Sequence, residues 1–222
     1  MQLLPTKRYP AKWLRIQAEK GNNLMELPVS DPYEEIYKER KQWWRLMTPE
    51  WIKPMKEPAN DEDLDLVWGL YKNRVDRVAK FHDVLGEYYH DNTHAHYGAD
   101  DKQRAWEKIT WLLRKRDASN YEWPNRPPAE VTTDAELAEF VKCNAQGRIT
   151  IRLRGDESDY HLSDPDVPGD GTVPECSGAD SAKKAKFAFA TKMKGYDHQG
   201  SYENKAVKDV TTYSVIRIAM KK

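Results

Sequence analysis

The chain has 222 residues, enough for one large domain or two small ones, and its 36 basic residues are balanced by 36 acidic ones. A formal charge of zero argues against a general nucleic-acid binder, which carries a basic excess. No apolar run approaches the roughly 18–20 residues of a membrane span, and the opening MQLLPTKRYPAKW lacks the apolar core of an export signal.

In chain order, residues 1–30 read as irregular, broken by Pro5, Pro10 and Pro28. Ser30-Asp31-Pro32 predicts a helix start, with Ile36, Trp43 and Leu46 as its stripe up to about Met47. From Asp61 to about Tyr89 apolar residues recur at three- and four-residue spacings, which predicts one amphipathic helix roughly 40 Å long. Such a helix either packs on a domain or serves as a lid over an active site. Residues 92–97 read as a short strand stopped by Gly98, and 101–116 as a helix around Trp106, Ile109 and Leu113. A Pro- and Asn-rich loop spans 120–130, and the capping box Thr133-Asp134-Ala135-Glu136 predicts a helix over 134–145, ended by Gly147. Residues 148–154 alternate as a strand, 155–180 read as loop, and 186–191 as another strand. A final helix runs from about Tyr202 to Met220, capped by Ser201. Its inner stripe is Val207, Val210, Ser214 and Ile218, and Lys221 and Lys222 sit at the negative end of its dipole.

Leu, Ile, Val and Phe together make up only 39 residues, but eight Trp and twelve Tyr replace part of that burial. The chain therefore reads as folded and aliphatic-poor, suited to completing a larger core. The two cysteines, Cys143 and Cys176, are too few for a disulfide framework and read as thiols, or as a pair in an oxidising compartment.

The last third has the order acidic loop, strand, histidine loop, helix. Gly169-Asp170-Gly171-Thr172-Val173-Pro174 precedes the strand, and Asp197-His198-Gln199-Gly200 follows it. An acid so placed can fix the tautomer of a histidine 28 residues on, and that histidine can take a proton from a nucleophile and return it to a leaving group. Other patterns carry other chemistry. His94 and His96 share a strand face near His90, Asp100 and Asp101, as a metal pair or as ordinary polar residues at a cleft edge. Asp164 and Asp166, with Asp170, offer hard oxygens to a structural calcium without the closing Glu of an EF-hand. Trp43, Trp44, Trp51 and Trp13 suit a membrane interface or, more commonly, a core. No Gly-rich phosphate loop is present.

GDGTVP followed by a strand, a histidine loop and a closing helix resembles the end of an α/β-hydrolase lipase, whose triad runs Ser, acid, His along the chain. DNTHAHYGAD, residues 91–100, resembles the strand and YG turn before the acid loop in lipases of the lecithin–cholesterol acyltransferase kind. LPVSDPYEEIY, HYGAD, GDGTVPECSG and DHQGSYENKAV resemble the C-terminal domain of the third class of type VI secretion lipase effectors. That resemblance implies Asp170 as triad acid and His198 as base, with no cofactor.

It implies an α/β fold in which residues 1–90 form a helical cap or lid region and 91–222 the C-terminal portion of the hydrolase. It also implies a phospholipid or other ester substrate, and secretion-tip and immunity proteins as partners. The route implied is synthesis in a bacterial cytoplasm and delivery, without a signal peptide, to a target cell's periplasm and membrane. The departure is the nucleophile. None of Ser30, Ser119, Ser158, Ser163, Ser177, Ser181, Ser201 and Ser214 sits in a G-x-S-x-G elbow. The central nucleophile-bearing half of the fold is expected elsewhere, and the chain alone is expected to be inactive. The rival expectation is a non-catalytic binding module or an inactive remnant.

Overall fold

The structure, a computed structural model, describes residues 4–18, 21–52, 60–113, 138–143, 148–153, 156–184 and 189–220. The 120–130 loop, the capping box at 133–136, Gly147, Phe187, Lys221 and Lys222 lie outside the described residues, as does the side chain of Cys143. The chain clusters into two units, Met1–Val84 with Ile109–Ser163, and Leu85–Lys108 with Asp164–Lys222. Residues 109–163, expected with the C-terminal portion, thus associate with the N-terminal residues, because their strands pair there.

The first unit holds a six-stranded mixed sheet. Its strands are β1 (Leu14–Gln17), β2 (Asn23–Leu27), β5 (Ile109–Leu113), β6 (Ala138–Cys143), β7 (Arg148–Leu153) and β8 (Asp156–Leu162), in the order β2-β1-β5-β8-β7-β6. β1 and β5 run parallel, and the other neighbours antiparallel. It also holds short helix α1 (Pro49–Ile52) and long helix α2 (Asp61–Leu85). Leu14, Ile16, Met25 and Leu27 meet Ile149, Ile151 and Tyr160 in one core, closed by Trp68, Tyr71 and Val75 of α2. The face of α2 expected to cover the acid and histidine loops is therefore occupied inside its own unit, the plainer of the two sequence readings. Trp13 is buried and Trp43 and Trp44 pack against the same core, while Trp51 is exposed.

Four local expectations are corrected here. Residues 1–30 are not all irregular, because β1 and β2 alternate buried and half-buried residues over stretches too short to stand out. The helix over 101–116 is instead β4 (Asp100–Ala105) and β5, since Ile109, Trp111 and Leu113 satisfy period two as well as helical spacing. The described part of 134–145 is β6, whose Phe, Val and Cys suit a strand once β7 offers an antiparallel partner. The helix from Ser30 shrinks to one π-helical turn, Tyr33–Tyr37. Its N-cap position is Pro32, without a side-chain cap bond; Asp31 accepts from the Tyr33 amide, and the Glu35 carboxylate accepts from the amides of Val29, Ser30 and Asp31. Lys38 pairs with Asp76 at 2.7 Å, and the chain leaves the helical path.

The second unit is built on two small sheets. β3 (His94–Gly98) pairs parallel with β10 (Phe189–Met193), from His94 opposite Phe189 to Gly98 opposite Met193. β4 pairs antiparallel with β9 (Val167–Gly169), a strand inside the expected 155–180 loop, as β8 is. Short helices α3 (Glu175–Gly178) and α4 (Asp180–Lys184) follow the acid turn. The closing helix α5 (Lys205–Ala219) packs Val207, with Val210 beside it, on Met193 and Tyr196. Its cap is Asn204, whose side chain accepts from the Val207 amide at 3.2 Å, and not Ser201. Ser201 lies in a 3-10 turn, Gly200–Tyr202, and donates its hydroxyl to the His198 carbonyl.

Candidate active site

The site grows from the carboxyl ends of the parallel pair, β3 and β10, which lie at one end of their sheet. That is where open α/β sheets place ligands. β3 ends at Gly98, and β10 leads through Gly195 and Tyr196 to His198. Asp100, just past β3, holds the start of the histidine loop by accepting from the Gly195 amide at 2.8 Å.

Asp170 follows β9 in a tight turn. One carboxylate oxygen accepts from the amides of Thr172 and Val173 at 3.1 and 2.7 Å. Gly171, at φ +85°, makes the turn at a backbone conformation that costs an ordinary residue about 1–2 kcal/mol. The turn seats against β3. A Cβ on Gly98 would lie 2.6 Å from the Asp170 Cβ, and one on Gly169 would lie 2.5 Å from the Val173 oxygen. Glycine at these two positions is what lets the acid sit at the strand end.

The other Asp170 oxygen lies 2.9 Å from His198 Nδ1. The acid side chain is 12% exposed and that of His198 49%. Burial pushes the Asp170 carboxyl up, but the bonds from the Val173 amide, the His198 ring and the Thr172 amide outweigh it and hold the group below its ordinary value. Asp170 is thus a carboxylate at neutral pH and an acceptor only, so His198 donates from Nδ1. In the neutral ring that leaves the lone pair on Nε2.

Two nearby acids of the same loops, Asp166 and Asp197, are engaged with backbone amides. Asp166 accepts from the amides of Glu107 and Lys108, and Asp197 from the Gly200 amide. Among the described residues no group of three or more His, Cys, Asp and Glu side chains is placed to hold a metal ion. His94 and His96 lie on β3, and His96 lines the same cavity as the pair.

That cavity, of about 630 Å³, is bordered by Tyr97, Gly98, Asp170, Tyr196 and His198, with residues of α5 on its far wall. Sequence reasoning passed over Tyr196. It is 7% exposed, and its hydroxyl is buried without a hydrogen-bond partner among the described residues. Burial first, and the Asp170 charge second, push its phenol up. Its position two residues before the histidine, in a loop that must turn inward, was the available signal. Ser201 also lines the cavity, but it spends its hydroxyl on the His198 carbonyl rather than on the ring. The arrangement is a histidine hydrogen-bonded to a carboxylate, both lining a cavity at a strand-end cleft.

No protein-family model matches the chain, and no curated protein matches it. Among solved structures, the chain is similar in fold to a chain in the crystal structure of a Tle4–Tli4 complex, with a TM-score of 0.64 and 24% identity. The match takes in 99% of this chain and 45% of that one, so this chain spans less than half the length of its neighbour.

Proposed function

We propose that this chain is the acid- and base-bearing portion of a serine carboxylic-ester hydrolase of the secreted lipase-effector type. The observation that carries the reading is the hydrogen bond between His198 and a carboxylate already tied by two amides, in the triad's chain order and at the carboxyl ends of parallel strands. The fold shared with a chain of the Tle4–Tli4 complex is compatible with that reading.

In the proposed reaction a serine outside these residues attacks the ester carbonyl, and its proton passes to His198 Nε2. The carbon–oxygen bond to the alcohol breaks, and that alcohol leaves with the same proton. Water then repeats the sequence on the acyl-serine, releasing the acid and restoring the serine. Asp170 keeps Nδ1–H aligned and stabilises the imidazolium. The substrates are phospholipids or related esters, and the partners are an immunity protein and the secretion apparatus that carries the protein to a target cell's envelope. Among the described residues no helix is long and apolar enough to cross a membrane.

The test is hydrolysis of a phospholipid by this chain produced together with the polypeptide encoded directly upstream of its Met1 codon. Activity that falls at least 1,000-fold in His198→Ala and survives His94→Ala and His96→Ala supports the reading. Activity indifferent to His198 overturns it. The absence of a serine elbow favours a second reading for the chain by itself, a binding module. In that case no partner brings ester hydrolysis.

A further inference from the structure

The Tyr196 hydroxyl is a donor that no step of the proposed reaction uses. We infer that Tyr196 is a positioning residue of the Asp170–His198 pair. Its hydroxyl donates to the Asp170 oxygen that also receives His198 Nδ1, by a small swing of the ring or through one water. The bond belongs to this chain by itself, and its effect on catalysis rests on the hydrolase reading.

The donor side is fixed by packing. β10 ends at Met193, and Gly195, at φ +87°, turns the chain with its amide held by Asp100. The Tyr196 ring is then buried against Met193 and against Val207 of α5, in a wall of the cavity that Asp170 and His198 also border. A buried hydroxyl without an acceptor costs stability, so a native fold keeps one where the group has work to do. Burial and the Asp170 charge both push the phenol up, so its proton stays in place at neutral pH.

The acceptor side follows from a count of lone pairs. A carboxylate offers about four sites. On Asp170 the amides of Thr172 and Val173 fill two on one oxygen, and His198 Nδ1 fills one on the other. Among the described residues the fourth site, on the oxygen that meets His198, takes no bond. Ser201 and Thr212 also border the cavity, but their hydroxyls are neutral and already donate to the carbonyls of His198 and Lys208. A bond to a carboxylate is about twice as strong as one between neutral groups. Filling the fourth site pins the carboxylate on the side of the histidine, where the first two bonds do not reach. It also shares the charge of that oxygen between the phenol and the imidazole, which tempers the pull of Asp170 on Nδ1–H.

The experiment compares the full chain with Tyr196→Phe, Asp170→Asn and the double variant at pH 7. Tyr196→Phe should lower the thermal midpoint by about 2–4 °C in the unaltered chain and leave it unmoved in Asp170→Asn. In the proton spectrum, the His198 Nδ1–H resonance should move downfield in Tyr196→Phe, because Asp170 then gives that bond its undivided charge. A midpoint that rises or stays, as loss of an idle buried hydroxyl would give, overturns the proposal. So does an equal fall in the Asp170→Asn background, or a resonance that does not move. In the co-production assay of the hydrolase reading, Tyr196→Phe should lower kcat about tenfold with KM unchanged. A raised KM with kcat intact places the phenol on the substrate and overturns the positioning role. The midpoint and resonance effects in a protein that cleaves no ester leave the bond intact and sink the hydrolase reading. Ester cleavage without those effects does the reverse.

Discussion

Asp170 is held at both oxygens, and this sets what its loss should do. An acid kept below its ordinary value adds stability above about pH 4, where the unfolded chain's carboxyl is ionised, and loses it as pH falls through the lower folded value. Asp170→Asn should therefore cost about 1–3 kcal/mol in denaturant titrations at pH 7, and the gap from the unaltered chain should narrow below pH 4. A gap that widens in acid contradicts the assignment. Gly98→Ala tests the seat of the turn. Its new methyl would meet the Asp170 Cβ at 2.6 Å, so strand or turn must yield, at about 1–3 kcal/mol. In a completed enzyme the same change should lower kcat, because the carboxylate moves relative to the ring. The Asp–His pair was legible in the sequence because glycines and order mark it. The two amides on Asp170 and the orphaned Tyr196 hydroxyl were not, since they depend on how the turn and loop close in space.

Strong periodicity was a safe guide to the elements, and short or polar stretches were not. α2 and α5 lie close to where their apolar spacing put them, and β3 and β7 likewise. β8 (DESDYHL) carries no alternation, yet it is central, because β5 and β7 pair with it on its two sides. A strand specified by its neighbours' backbone leaves little trace in its own residues. The helix expected from Ser30 to about Met47 is one turn that starts at Tyr33, because Lys38 is drawn to Asp76 and Trp44 donates to the Glu35 carbonyl. Four substitutions test this scale. Val75→Ala empties a fully buried position on α2 and should cost about 2 kcal/mol by thermal or chemical denaturation. Leu66→Ala, on the exposed face of the same helix, should stay within about 0.5 kcal/mol. Asn204→Ala should cost about 1 kcal/mol through the lost α5 cap, more than Ser201→Ala. Equal losses would return the cap to Ser201.

At the scale of the whole molecule, the chain holds the hydrogen-bonded pair Asp170 and His198 and no G-x-S-x-G sequence. The aliphatic-poor composition agrees with two modest units, the second resting on a core of Met193, Tyr196 and Val207. The return of 109–163 to the unit of the N-terminal residues could not be seen in the sequence, because it is set by the parallel pairing of β1 with β5. The purified chain alone should hydrolyse short-chain esters no faster than background. The most direct test of the central claim is covalent labelling by a fluorophosphonate, with the labelled residue located by peptide mass spectrometry. The account predicts no label on any of the eight serines of this chain. It predicts one labelled serine on the co-produced partner, labelled at least 1,000-fold more slowly when His198 is alanine. A label on Ser201 or any other serine of this chain, or partner labelling that ignores the His198 change, would contradict it.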